Sequence, residues 1–359
     1  MKKRLLLFVG SCIAFGGPSL SPLSAMNMVA FRDCIGFNYG GHPTTCQLDP
    51  GIHQITQKLE LRRSGITVRG TFTWSRSETT LKRGVAGLTS IMEAVQPVYN
   101  VTIQDFLFDG NRALTGDLPG QAAEGYRDLY LGGWGSNIVV QADFVNAPGF
   151  GMTVAGSYTA IQYCNGTWGR IGTVWGGSSS SNVTIVGNIF ENNGAGAVGI
   201  ASPISFIAWN SFYGNHRDFP YGESGGQLVL LEGGSYITVT DNWLDGAYIK
   251  GDDGIKWTSG IEGYGSYHNF ARNEAFHHSG QGLAFIGVQN VTITGVNQGW
   301  RVEENSTREF PPQFDGIAIT NHPNIPQWSA NITIDGVTSI NGHRYGIYID
   351  PSGFGNITA

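Results

Sequence analysis

Three aspartates carry the most direct chemistry in this sequence. Asp252 and Asp253 stand together in Gly251-Asp252-Asp253-Gly254, and Asp315 precedes Gly316 in a similar Asp-Gly-Ile setting. Two carboxyl groups held close can serve as general acid and general base, because crowded like charges raise one carboxyl pKa and leave the other ionised. Hydrolysis of a glycosidic bond needs such a pair, separated by about 5 Å for retention or roughly 6.5–9.5 Å for inversion. A second, basic set contains Lys256, His277, His278 and Arg344. In an elimination or epimerisation one of them would take the proton beside a uronate carboxylate, with Arg344 or a calcium ion neutralising that carboxylate. Tyr221, Glu223, Trp257, His322 and His343 are the candidate substrate-binding residues, with Glu223 and Glu232 as reserve carboxylates. No histidine pair shows zinc spacing, so no metal ligand is assigned, and no cofactor is expected beyond calcium in the elimination reading.

These residues run from position 221 to position 344, so some architecture must stack them. Two short patterns recur. Asn-Val/Ile-Thr-Ile stands at Asn100, Asn182, Asn290 and Asn331, with a partial copy at Asn356. Gly-apolar-x-apolar stands at Gly254, Gly282, Gly316 and Gly346, successive copies being 28, 34 and 30 residues apart. Segments such as Asn188-Ile189-Phe190, Asn210-Ser211-Phe212 and Asn242-Trp243-Leu244 lie between them. A period in this range marks a repeat architecture. Each repeat holds runs of three to five residues with period-2 apolar alternation and no helix-length segment. Strands so short bury a face only if each repeat is one turn of a parallel coil, stacked about 4.8 Å above the last. Asparagine at one corner would point inward and bond to the next turn, and glycine at others would supply positive φ. The seven Asn-x-Ser/Thr sequons, which add Asn165 and Asn305 to those above, then read as structural rather than as glycan acceptors.

This pattern resembles the right-handed parallel β-helix of pectate lyases, polygalacturonases and related proteins, over about residues 45–359. The resemblance implies an all-β single-domain solenoid that processes polysaccharide, with a non-catalytic glycan-binding or surface solenoid as the alternative. Gly251-Asp252-Asp253-Gly254 followed by Gly280-Gln281-Gly282 is similar to the polygalacturonase order of an aspartate pair and then Gly-His-Gly, with Gln281 where that family has histidine. It makes Asp252 and Asp253 counterparts of the catalytic pair. Aligning turns on the repeat glycine puts Asp253, Gln281, Asp315 and Tyr345 in one column and Lys256, Ala284, Ala318 and Tyr348 in an outward one. Asp253 and Asp315 would then stand two turns, about 9–10 Å, apart.

Composition bounds the rest. Glycine is 53 of 359 residues and charged residues are 13%, which excludes a helical bundle or coiled coil. Lys2, Lys3 and Arg4, an apolar run and Leu23-Ser24-Ala25 read as a signal peptide over residues 1–25, directing a bacterial chain to the periplasm or outside. The apolar run is too short for the ~20 residues of a transmembrane helix. Val9-Gly10-Ser11-Cys12 is similar to a lipobox but lies too early, and lipid anchoring at Cys12 is not expected. Loss of the first segment takes the net charge from −6 to −9, which argues against nucleic acid as a partner. Residues 26–44 read as an N-terminal cap. Cys34 and Cys46 are expected to pair in an oxidising compartment, leaving Cys164 as a small buried hydrophobe. The chain reads as a monomer, and its last repeat stops partway, as a truncated solenoid would.

Overall fold

Short strands with one inward side chain each become stable here by winding. The computed structural model describes residues 25–37, 43–73, 76–94, 96–116, 118, 120–132, 134–215, 225–231, 233–247, 249–251, 254–256, 258–278, 280–295, 298–301, 316–321, 329–336, 345–350 and 357–358. Their strands form three long, wholly parallel sheets of twelve, ten and eleven described strands, termed A, B and C. One turn of chain visits them in that order: Thr184–Val186 in A, Ile189–Glu191 in B, Val198–Ile200 in C, then Phe206–Ala208 back in A. The fold is a right-handed parallel β-helix, as the repeats imply.

Register keeps like over like. In sheet A the inward positions Ile161, Ile185, Ile207, Val239, Phe270, Ile293 and Ile334 stack directly. All are buried, whereas the flanking threonines that alternate with them are not fully so. In sheet B four phenylalanines share the inward file with Leu81, Gly166, Leu244 and Ala275: Phe108 stacks on Phe144 at 5.0 Å, and Phe190 meets Phe212 at 5.2 Å. A one-residue slip anywhere would turn a whole rung outward, which is why the register is firm.

Corners differ from expectation in one respect. Asn100, Asn182, Asn290 and Asn331 do not point inward. They adopt left-handed backbone, with φ between 53 and 55°, at the corner entering sheet A, where they are exposed or partly so. Asparagine suits that corner because its short side chain tolerates the left-handed region. The inward ladder belongs to other asparagines, at the corner between sheets A and B. Asn188, Asn210, Asn242 and Asn273 are fully buried in successive turns. Asn188 donates from both N and Nδ2 to Asn210 Oδ1, at 3.0 and 2.9 Å, and Asn210 and Asn242 repeat the arrangement one turn on. Each Nδ2 also reaches a carbonyl of the preceding turn, Ile161, Ile185 and Ile207 in order.

The N-terminal helix Met28–Gly36 closes the first turn. Asn27 caps it by accepting from Val29 and Ala30 N–H at 3.1 and 3.0 Å. Phe31, Cys34 and Ile35 face into the coil, and Phe31 meets Phe106 edge-on. The expected disulfide joins Cys34 to Cys46. Cys164 is buried, and burial pushes its thiol up to about 12, which keeps it an inert hydrophobe at neutral pH. No helix among the described residues is long and apolar enough to cross a membrane. The segment read as a signal peptide lies outside the described residues, apart from Ala25.

Candidate active site

The three connections of each turn are unequal, and the unequal ones define a working face. Between sheets A and B the link is one to three residues in most turns, with residues 70–78 between Thr67–Arg69 and Thr79–Arg83 as the exception among the described strands. Between B and C it varies: residues 168–171 after the strand Asn165–Thr167, but 302–316 after Gln298–Arg301. The links from C to A vary too, so both margins of sheet C carry the long segments and its outer face lies between them. Loops on a rigid scaffold are the usual place for binding groups.

The outward file along sheet C reads Tyr130, Thr153, Trp175, Gly199, Val229, Glu262, Ala284, Ala318 and Tyr348 in successive turns. Two features stand out. Trp175 lies flat over its neighbour: a Cβ added at Gly199 would come within 2.7 Å of the indole, so only glycine leaves room for the ring. Three strands further, roughly 14 Å on, stands Glu262. Its carboxyl accepts from the Tyr264 hydroxyl, and the residue is 8% exposed. Gly226, in the strand before, would bring a Cβ within 2.7 Å of Glu262 N, so that neighbour too must stay bare. An outward carboxyl so nearly buried on the sheet's outer face is costly unless it is satisfied or used.

Glu262 was legible in the repeat but masked by the choice of glycine. The chain strand that stacks in sheet C is Thr258–Gly263, with Ile261 beside Leu283 and Glu262 beside Ala284. Gly260, not Gly254, is therefore the counterpart of Gly282 and Gly316. Gly254–Lys256 instead pairs antiparallel with Ile249–Gly251, outside the three sheets, because extra residues are inserted before this turn resumes its place. The corrected column before the glycine reads Ser259, Gln281, Asp315 and Tyr345, and the expected stacking of Asp253 under Asp315 loses its basis.

Of the residues picked from the sequence, Asp252, Asp253, Asp315, Arg344, Tyr221, Glu223, Trp257, His322, His343 and the reserve Glu232 lie outside the described residues. Lys256 and His277 lie in described strands, in the antiparallel pair and in Glu274–His278 respectively. His278 is fully buried inside the coil against Gly260, its Nε2 3.3 Å from the Leu244 carbonyl oxygen. A side chain in that place cannot reach a polymer on the surface. His268 is also structural: Nδ1 accepts from Ile237 N–H at 3.2 Å, Nε2 meets the Tyr264 carbonyl oxygen at 2.7 Å, and burial lowers its imidazole to about 4. Among the described residues no cluster of three or more His, Cys, Asp or Glu could hold a metal ion.

No known family and no curated protein matches this chain by sequence. Solved structures do match it in shape. The Dettilon tailspike protein is 14% identical, with a TM-score of 0.54 over 84% of this chain and 61% of that one. The A-module of a mannuronan C-5 epimerase from Azotobacter vinelandii is 16% identical, with a TM-score of 0.52 over 92% of this chain and 95% of that one. An alginate lyase from a Paenibacillus species is 13% identical, with a TM-score of 0.51 over 93% and 98%. At such identities the likeness is one of fold, and this chain spans about three fifths of the tailspike's length.

Proposed function

We propose that this protein processes an extended polysaccharide along the outer face of sheet C, by glycosidic hydrolysis, with Glu262 as one of two working carboxyl groups. The observation that carries the reading is Glu262 itself, an outward carboxyl 8% exposed between the two loop-bearing margins. Trp175 supports it, since the apolar face of a sugar ring packs on an aromatic plane and a polymer laid along the file would meet ring and carboxyl in turn. Two structures of the same fold are, by name, an alginate lyase and a mannuronan epimerase, which supports polysaccharide as the substrate class by analogy of fold.

In hydrolysis Glu262, in its protonated form, would give its proton to the glycosidic oxygen, and a second carboxylate would activate water or attack the sugar carbon. Asp252, Asp253 and Asp315 are the candidates for that second role. The phenol beside Glu262 favours one further reading. Tyr264, with its proton drawn toward Glu262, could serve an elimination or epimerisation at a uronate, with Lys256 or Arg344 or a calcium ion against the substrate carboxylate.

Digestion of a panel of neutral and uronate polysaccharides separates the two. New reducing ends without an unsaturated sugar mean hydrolysis, and an unsaturated product means elimination. Glu262→Gln is expected to lower kcat by about 10²–10⁴-fold in either case, with an unchanged melting temperature. Full turnover in that variant would remove Glu262 from the chemistry.

A further inference from the structure

The corner between sheets A and B carries its own cleft, of about 710 Å3, on a different face from Glu262. Trp209 and Trp243 line it, with Asp241, Arg272 and Glu274. Trp209 is 59% exposed and Trp243 41%, so both indoles present bare surface. Trp209 occupies the corner in left-handed backbone, φ 54°, where the preceding turn places Gly187 at 69° and the next two place Asp241 at 56° and Arg272 at 53°. A left-handed conformation costs a side-chain-bearing residue roughly 1–2 kcal/mol, so glycine would serve the turn better than tryptophan. The Trp209 ring meets Phe206 edge-on at 6.2 Å and still leaves most of the indole bare, open to a ligand.

Polar groups around the rings are held in place. Arg272 donates from Nε and Nη2 to the two Asp241 carboxyl oxygens, each at 2.7 Å, and from Nη2 to Thr240 Oγ1 at 3.0 Å. These bonds leave Nη1 to donate outward. Trp243 rests against Phe276 with ring centroids 4.5 Å apart, which fixes its plane. Glu274 stands beside Trp243 in the next strand, and burial raises its carboxyl. Among the described residues, Asp241 and Glu274 against Arg272 leave the cleft without surplus positive charge, and Arg272 is already paired. A uronate carboxylate would meet like charge there, whereas hydroxyl-rich, uncharged rings would find donors, acceptors and aromatic faces together.

We propose that this cleft is a second, non-catalytic glycan site that takes uncharged sugar rings of a polysaccharide, stacked on Trp209 and Trp243 and hydrogen-bonded by Asp241, Arg272 and Glu274. It stands apart from the reading of Glu262, because none of its residues lies on sheet C. The test is affinity electrophoresis of the full chain carrying Glu262→Gln, in gels containing galactomannan, xyloglucan or a β-glucan, and in parallel gels containing polygalacturonate or alginate. Retardation by at least one neutral polymer is expected, with about tenfold weaker binding in Trp243→Ala and in Trp209→Gly. Trp209→Gly keeps the backbone conformation the corner needs, so its melting temperature is expected to hold or rise, unlike that of a packing residue. Equal mobility of parent and both variants, retardation by the uronate polymers alone, or no retardation in any gel would overturn the proposal. Loss of turnover in Glu262→Gln without loss of retardation keeps the two sites distinct.

Discussion

Two corners of the same coil are built on opposite rules. Between sheets A and B a single left-handed residue, Gly187, Trp209, Asp241 or Arg272, is followed by a buried asparagine that bonds the next turn. From residue 141 to residue 273 the link is two residues in each turn, and from Asn188 onward the asparagine bonds repeat, so this corner fixes the pitch of the helix there. Between B and C nothing repeats over the whole chain. Asn193, Asn215 and Gln227 make a short ladder, each donating to or accepting from the next at 2.8–2.9 Å through Nδ2, and elsewhere the links lengthen. A scaffold whose spacing is set at one corner can vary the other freely, and the variable corner borders the face with Glu262. Near the N-terminal end the same B–C corner is pinned differently. Arg83 at the end of its sheet B strand and Asp128 in sheet C are both fully buried, 2.8 Å apart, with Arg83 also donating to the Gly110 carbonyl at 2.9 Å.

That pinning makes the largest expected effect. Removing one member of a buried ion pair leaves a charge that neither water nor partner satisfies, at a cost of about 3–5 kcal/mol. Burial already pushes the Asp128 carboxyl up to about 7 against the pull of Arg83, so the guanidinium is what holds its charged form in the coil. Arg83→Met should therefore lower the unfolding free energy read from urea titration by about that amount, and Arg83→Met with Asp128→Leu should recover most of it. Equal loss in the single and the double variant would mean that shape, not charge, holds this corner.

His268 gives the next effect, at the corner from C to A. The folded chain holds its imidazole neutral to about 4, whereas an unfolded chain takes up the proton near 6.5. Stability is thus complete above pH 6.5 and falls as the pH drops toward 4, by about 3 kcal/mol in all. Denaturation at pH 7 and pH 4 compares the protein with His268→Gln, in which that share of the acid loss should vanish. Parallel pH profiles would show that the imidazole is not the group concerned.

How far the sequence foretold all this follows from the same contrast. Period-2 alternation around Ile185, Ile207 and Ile293 and the recurrence of Gly282 and Gly316 predict parallel stacking, because each is a local consequence of burying one face per strand. Which asparagine turns inward was not legible: Asn182 and Asn188 sit six residues apart in similar surroundings, and only the closing of the corner decides that Asn188 is enclosed. Register through an insertion was not legible either. Gly254-Ile255-Lys256 fits the repeat locally as well as Gly260-Ile261-Glu262 does, and only pairing with Leu283 selects the second. Glu262 was hidden by that ambiguity, not by its residue type.

The smallest effects separate inward from outward asparagine. Asn242→Ala takes the acceptor from the N–H of Asn210, one of two acceptors from its Nδ2, and a donor from the Ile207 carbonyl, which should cost about 2–3 kcal/mol, since unsatisfied buried groups lose their hydration without a return. Asn331→Gly alters a residue of the sequence pattern that faces solvent at φ 53°, and glycine accepts that backbone at no steric cost. Its expected change is within about 0.5 kcal/mol, the ordinary range for a surface substitution. Melting curves of the two variants therefore read out which asparagine file carries the pitch. A loss at Asn331 as large as that at Asn242 would place the ladder at the entrance to sheet A and make the two corners alike.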